Sequence, residues 1–79
     1  MDYDTEKVDD AVLALLHLTM FRDEYQVRAW KGQDWATMRR LHEKGYIGDP
    51  KSKAKSVAVT EVGEVRAREL FHKLFGKSS

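Results

Sequence analysis

Three lysines in a short polar segment have the type and spacing to bind a polyanion. Lys51, Lys53 and Lys55 alternate with small residues directly after Pro50. Ammonium groups on an exposed loop can contact successive phosphates of a nucleic acid and release the counterions condensed on it. The same lysines could instead protect the edge of a strand from pairing with another chain. The segment by itself leaves both interpretations open.

Further cations nearer the N-terminus could extend this surface. Arg39 and Arg40 lie in a predicted helix, and guanidinium groups on a helix can contact guanine edges in a duplex groove. Two arginines on a helix are also common as solvated surface side chains. The predicted nucleic-acid surface combines seven residues: Arg28, Lys31, Arg39, Arg40, Lys51, Lys53 and Lys55.

The charges are segregated along the chain although the total is close to neutral. The 79 residues carry 14 basic and 13 acidic side chains, for a formal charge of +1. Residues 1–24 hold seven acidic and two basic side chains, whereas residues 25–60 hold eight basic and three acidic ones. This split favours an electropositive face. The alternative is that each helix carries its own solvated charges.

Catalytic and metal-binding patterns are weak. The chain has no cysteine, and its three histidines fall on separate predicted elements without metal-ligand spacing. His42 and Glu43 begin like a zinc-protease helix, but Tyr46 stands at the second ligand position and Gly45 interrupts the helix. No serine lies in a nucleophile motif. We therefore predict a protein that is not an enzyme, with no cofactor, no metal and no small-molecule substrate.

Two tryptophans flank a glycine turn and admit two interpretations. Trp30 and Trp35 lie on either side of Lys31 and Gly32. Aromatic rings beside cations can stack on unpaired bases. In a chain this short, however, two tryptophans are a large share of the available core, which favours packing.

The hydropathy pattern predicts one α+β domain over residues 1–79, with the order helix, strand, helix, hairpin, helix. Asp4, Asp34 and Thr60 are predicted to cap the three helices at their N-termini, and Gly45 to end the second. The hairpin is expected to pair residues 46–47 with the strand at 55–60 around a turn at Asp49 and Pro50. The predicted ranges are helices 5–21, 35–44 and 61–75, a first strand at 25–30, and a frayed tail at 76–79.

Helical spacing assigns side chains to faces. In the second helix Trp35, Met38 and Leu41 are predicted to be buried, while Arg39 and Arg40, with Thr37 and His42, face outward. The first helix carries a stripe at Val8, Ala11, Val12, Leu15, Leu16 and Thr19. Leu13, Ala14 and Met20 widen it, so a partner chain could cover the second side. The predicted partner or dimer contacts are Leu13, Met20, Phe71 and Phe75.

Short motifs link this arrangement to known families. Residues 41–47 read LHEKGYI and residues 55–63 read KSVAVTEVG. The chain here resembles winged-helix regulators of the multiple-antibiotic-resistance type. The resemblance rests on Leu41, Gly45 and Ile47, on the basic hairpin that follows them, and on the Thr-Glu-x-Gly sequence that begins the last helix. The motifs RAWKG at 28–32, LHEKG at 41–45 and KAKSV at 53–57 look more closely like a family of small uncharacterised bacterial proteins. That resemblance covers nearly the whole chain and implies a fold without a known activity.

The winged-helix resemblance implies that the helix before Gly45 enters the major groove and that the hairpin is the wing. A helix-turn-helix also has a supporting helix, but only residues 30–33 separate the first strand from the second helix. The expected fold is therefore winged-helix-like with the supporting helix reduced or absent.

Two functions follow as hypotheses. One is a cytoplasmic module that binds duplex DNA as a small regulator, in the form of a homodimer. The other is a protein–protein adaptor or inhibitor on the same scaffold. The longest apolar run is too short to span a bilayer, and the acidic start at Asp2 and Asp4 is unlike a secretory signal, so no membrane contact is expected.

Overall fold

Three helices and a three-stranded antiparallel sheet make up residues 2–77, the part of the chain described by the computed structural model. This confirms the α+β class. The tail residues 78 and 79 lie outside the described residues. The elements in chain order are α1 Thr5–Thr19, β1 Phe21–Arg22, β2 Val27–Trp30, α2 Trp35–Glu43, β3 Ser56–Val59 and α3 Glu61–Phe75.

All three predicted N-caps are confirmed. The Asp4 carboxylate accepts hydrogen bonds from the backbone N–H groups of Glu6 and Lys7, Asp34 accepts from Thr37, and Thr60 Oγ1 accepts from Gly63. Each oxygen satisfies an amide that has no partner within its own helix. Local sequence therefore sets where the helices begin.

Gly45 ends α2 as predicted. Its φ of +82° lies in the left-handed region, where a side chain is strained. The backbone N–H of Gly45 donates to the carbonyl of His42 at 3.0 Å, and the N–H of Tyr46 donates to that of Leu41 at 3.0 Å. These bonds turn the chain out of the helix towards the sheet.

The sheet has the order β1-β2-β3, and β2 pairs with β3 from Val27↔Val59 to Trp30↔Ser56. The predicted hairpin is reduced to one bridge, Ile47↔Val59, with a bond from Gly48 N–H to the Ala58 carbonyl at 2.8 Å. Pro50 has no N–H, and the Asp49 side chain accepts from the Lys51 N–H at 2.9 Å. The segment therefore folds into turns instead of extending the ladder.

The first helix is shorter than predicted. It ends at Thr19, because Met20 is extended with φ −67° and ψ 139°. Phe21 then pairs with Arg28 as part of the short strand β1, which the sequence analysis did not anticipate. The Phe21 ring lies 5.0 Å from that of Trp30, and this contact favours the extended course of the chain.

The core lies between the three helices and one face of the sheet. The predicted burial of Met38 and Leu41 is confirmed, and Val57 and Val59 of β3 are buried beside them. The face of α1 is rotated from the predicted one, however. Leu15 is 40% exposed and the buried residues of this helix are Asp9, Leu13, Ala14 and Leu16.

The first turn of α3 packs against the backbone that follows α2. Gly63 is buried, and a Cβ atom at this position would lie 2.7 Å from the carbonyl carbon of Tyr46. The Tyr46 carbonyl also accepts hydrogen bonds from the N–H and Oγ1 of Thr60, both at 3.1 Å. A residue without a side chain therefore allows α3 to begin directly on the junction between α2 and the sheet.

Candidate nucleic-acid interface

Lys31 is hydrogen-bonded to the segment that carries the three predicted lysines. Its backbone N–H donates to the Lys55 carbonyl at 3.0 Å. Its Nζ donates to the carbonyl oxygen of Ser52 at 2.7 Å and to Ser52 Oγ at 3.0 Å. Lys51, Lys53 and Lys55 are all exposed. We call Lys31 together with residues 51–55 the basic lobe.

Arg28 joins the basic lobe at its C-terminal end. Its Nε donates to Ser56 Oγ at 2.7 Å and its Nη2 donates to the Ser56 carbonyl at 2.8 Å. These two bonds fix the guanidinium beside the residue that follows Lys55. The structure therefore brings together five of the seven predicted cations, from two stretches of chain about 20 residues apart.

The five cations have no acidic partner in the described structure. Ion pairs within residues 2–77 involve the basic side chains of Arg22, Arg40 and Lys44, and none involves Arg28, Lys31 or the three lysines of the loop. Adjacent like charges raise the local positive potential, which attracts anions. The basic lobe with Arg28 is thus a positively charged surface without an ion pair among the described residues, and the carboxylate of Asp49 is bound to the backbone N–H of Lys51 at one end of it.

Arg40 does not face outward as predicted. Its Nε donates to the two carboxylate oxygens of Asp9 at 2.8 and 3.1 Å, and its Nη2 donates to Thr37 Oγ1 at 3.1 Å. Thr37, also predicted to face outward, is fully buried. Asp9 is 1% exposed, so it requires cationic partners, and α2 supplies them. This engagement removes Arg40 from the nucleic-acid surface.

Lys44 completes the same cluster. Its Nζ donates to Asp9 at 2.9 Å and to Glu6 at 2.8 Å. The hydrogen bond to Asp9 raises the pKa of Arg40 above its ordinary value. Burial alone would lower the pKa of Lys44, but the hydrogen bonds to Asp9 and Glu6 outweigh it and raise that pKa. Both cations stay charged and hold α1 against α2.

Arg39 is the cation of α2 that remains exposed. Among residues 2–77, no hydrogen bond joins it to the basic lobe. Six of the seven predicted residues are therefore still available to an anion, and five of them form one cluster.

The two tryptophans are not core residues. Trp30 is 53% and Trp35 is 51% exposed, so the interpretation as packing residues is wrong. Val27 and Ala29 point towards the helices, and strand alternation places Arg28 and Trp30 on the other face of the sheet. The signal was present in the sequence, because a tryptophan one residue after a buried alanine of a strand has to face away from the core.

The predicted partner contacts are only partly accessible. Leu13 is completely buried within its own chain, so its assignment as a partner contact is wrong. Met20 and Phe71 are half-buried against the core. Phe75 is about half exposed and lies 5.6 Å from the Phe71 ring. Leu13 is buried because the buried face of α1 lies about one position away from the predicted stripe.

No three metal-ligating side chains come together within residues 2–77. Along the same residues, no helix combines the length and the apolar character that crossing a bilayer requires.

Comparison with known proteins places the chain in a family. The family described as "Domain of unknown function (DUF6429)" matches residues 4–77. The chain belongs to the DUF6429 family. It is 53% identical over 75 residues to "Uncharacterized protein y4hR" of Sinorhizobium fredii (strain NBRC 101917 / NGR234), a match that spans 95% of this chain and 97% of that protein. The predicted likeness to a small uncharacterised bacterial family is confirmed at this level. No solved structure matches this DUF6429 protein.

Proposed function

We propose that this protein is a non-enzymatic module that binds duplex DNA through the basic lobe and Arg28. The observation that supports the proposal is the convergence of five cations without an acidic partner, held together by the bonds of Lys31 to Ser52 and of Arg28 to Ser56. Phosphate groups supply most of the affinity of such surfaces, because each neutralised phosphate releases counterions.

A winged-helix-like arrangement would explain the position of these cations. Strand β3 lies between β2 and the bridging residue Ile47, and residues 48–55 form the turns between Ile47 and β3. In this proposal those turns act as the wing and grip the phosphate backbone. The second helix contributes Arg39 alone, because Arg40 is bound to Asp9. Binding should therefore depend more on the phosphates than on base sequence.

The test is fluorescence anisotropy with a labelled duplex across a salt series. With five phosphate contacts the slope of log K against log salt concentration is about −4.5. Replacing Lys51, Lys53 and Lys55 together by alanine should reduce it to about −1.8 and weaken binding at low salt. The matched control replaces three exposed lysines elsewhere, Lys7, Lys73 and Lys77, and changes the net charge equally.

The control should keep most of the wild-type slope. The proposal fails if the wild-type protein binds duplex DNA more weakly than about 10⁻⁴ M at low salt. It also fails if the two triple variants have the same slope, because binding would then reflect net charge and not this surface.

A second candidate function is protein contact through α1 and α3, favoured by their exposed apolar side chains Leu15, Leu18, Leu74 and Phe75. A second copy of the chain is the simplest occupant, because a twofold axis pairs one patch with itself. Light scattering should then give a dimer mass that Leu18→Glu reduces to that of a monomer, while Tyr25→Glu, in the exposed β1–β2 turn, does not. A wild-type monomer at all concentrations would rule this candidate out.

A further inference from the structure

An aromatic pair lies on the face of the sheet that the helices do not cover. Trp30 at the end of β2 is 53% exposed, and the Phe21 ring lies 5.0 Å away at an interplanar angle of 33°. Phe21 therefore supports one side of the indole, while about half of the Trp30 surface stays in contact with water. A large, exposed and supported aromatic ring is a suitable platform for another planar group.

Arg28 flanks this platform in space, and Lys31 follows it in the chain. Arg28 lies two residues before Trp30, so it shares the same face of the strand, and its guanidinium is fixed by Ser56. Ser56 is also the residue that pairs with Trp30 across the sheet. Lys31 follows Trp30 directly and is fixed by Ser52. A ligand on the indole would thus have the positioned guanidinium of Arg28 beside it on the same face, with the basic lobe next along the chain.

The chemistry of this site points to an unpaired base with its phosphates. Proteins that bind single strands combine a positive groove along the backbone with aromatic rings on which bases stack. In a duplex the faces of the bases are already covered by their neighbours, so a duplex offers the platform nothing to stack on. An apolar protein segment would match the indole but not the flanking cations, which have no acidic partner within residues 2–77.

We infer that Trp30 stacks on an unpaired base while Arg28 binds an adjacent phosphate and the basic lobe, which includes Lys31, binds the phosphates that follow. The preferred ligand is therefore a nucleic acid with a single-stranded segment next to the basic lobe. This inference rests on the proposed nucleic-acid binding and deepens it, because it adds a subsite that distinguishes strand states. Trp35 is equally exposed but lies at the start of α2, outside the Phe21 contact, and takes no part in this subsite.

The test compares a labelled single strand of thymidines with a labelled duplex of equal length in the same buffer. Trp30→Leu removes the stacking ring. It should weaken single-strand binding roughly 5- to 150-fold, the range for one lost base stack, and change duplex binding less than about twofold. Trp30→Phe keeps a ring and should retain most of the affinity. Trp35→Leu is the matched control and should leave both affinities unchanged.

A spectroscopic readout makes the test independent of the stability of the Trp30→Leu variant. In Trp35→Phe the indole of Trp30 is the sole tryptophan, and we expect the single strand to quench its fluorescence. Absence of quenching at saturating single strand overturns the inference, as does an equal loss of single-strand and duplex binding in Trp30→Leu. If the wild-type protein binds the duplex but the single strand causes no quenching, the inference alone fails. If it binds neither nucleic acid, the proposed function fails as well.

Discussion

Replacing Gly63 by alanine tests how closely α3 packs on the chain that leaves α2. The new Cβ would overlap the carbonyl oxygen of Tyr46 and would lie 2.7 Å from its carbonyl carbon and 2.9 Å from its Cα, whereas ordinary contacts of a Cβ begin near 3.4 Å. Helix and junction would have to separate by more than the 0.7 Å between 2.7 and 3.4 Å, because the Tyr46 carbonyl oxygen is closer to the new Cβ than the carbonyl carbon is. The obstacle is backbone, so no side-chain rotation relieves it.

The separation would also disturb the helix cap. Thr60 Oγ1 accepts from the Gly63 N–H at 2.9 Å, and its single proton lies within reach of the Gly45 carbonyl at 2.7 Å and the Tyr46 carbonyl at 3.1 Å. Overpacking costs about 1–3 kcal/mol and a lost N-cap about 1 kcal/mol. We expect Gly63→Ala to lose about 3 kcal/mol of a total stability of about 4–12 kcal/mol for a chain of this length. The melting temperature should fall by about 12–24 °C.

Urea denaturation followed by circular dichroism measures the loss, and two other glycines provide the controls. At Gly32 nothing lies within 4 Å of an added Cβ, so Gly32→Ala should leave stability unchanged or raise it by up to about 1 kcal/mol. At Gly45 there is also space, but φ is +82° and alanine should cost about 1–2 kcal/mol. A Gly63→Ala protein within about 0.5 kcal/mol of wild type would refute the packing described here.

Two more predictions concern the Asp9 cluster. Asp9→Asn should destabilise the protein by about 2 kcal/mol in urea denaturation. This is less than the usual loss for a broken buried ion pair, because the side chains of Arg40 and Lys44 can move into the solvent. Asp10→Asn is the control and should change stability by less than about 0.5 kcal/mol. Because the folded state raises the pKa of Lys44, its stabilisation is complete below its ordinary pKa of 10.5 and is lost as the pH rises through the folded value. We therefore expect the difference in unfolding free energy between wild type and Lys44→Gln, measured in urea, to be constant from about pH 8 to about 10.5 and to narrow from there to about pH 11.5. A difference that stays constant over the whole range would contradict the ion pairing.

The features that sequence predicted correctly depend on neighbouring residues. Asp4, Asp34 and Thr60 cap amides two or three positions away, and α2 ends through bonds from Gly45 and Tyr46 to residues three and five positions before them. Such signals are contained in a few consecutive side chains. They locate the helices without any knowledge of the tertiary structure.

The features that sequence did not predict depend on residues far apart in the chain. Asp9 and Arg40 are 31 positions apart, and nothing near either residue indicates the other. One signal was available in the sequence: Asp9 lies four positions before Leu13, on the line of α1 that is buried. A buried charge requires a partner, so a cation from elsewhere in the chain could have been expected there. Strand β1 is similar, because its two residues become a strand only through pairing with β2.

The candidate site was predicted in composition but not in arrangement. Charge segregation indicated a basic surface, and five of its cations do converge. The bonds of Lys31 to Ser52 and of Arg28 to Ser56 span 21 and 28 positions, so sequence could not show which cations meet. The exposure of Trp30 could have been derived from strand alternation, but the short length of the chain favoured packing instead.

The pairing of β2 with β3 has a consequence for how the surface assembles. Val27↔Val59 closes a chain segment that contains α2 and residues 48–55, so the cations of both stretches become neighbours only when that long-range contact forms. The entropy of ordering them is then lost during folding and not during association. A rigid phosphate backbone would therefore meet cations whose backbone positions are already set, with the side chains of Arg28 and Lys31 fixed by Ser56 and Ser52, whereas the unfolded chain would present the same residues dispersed along its length.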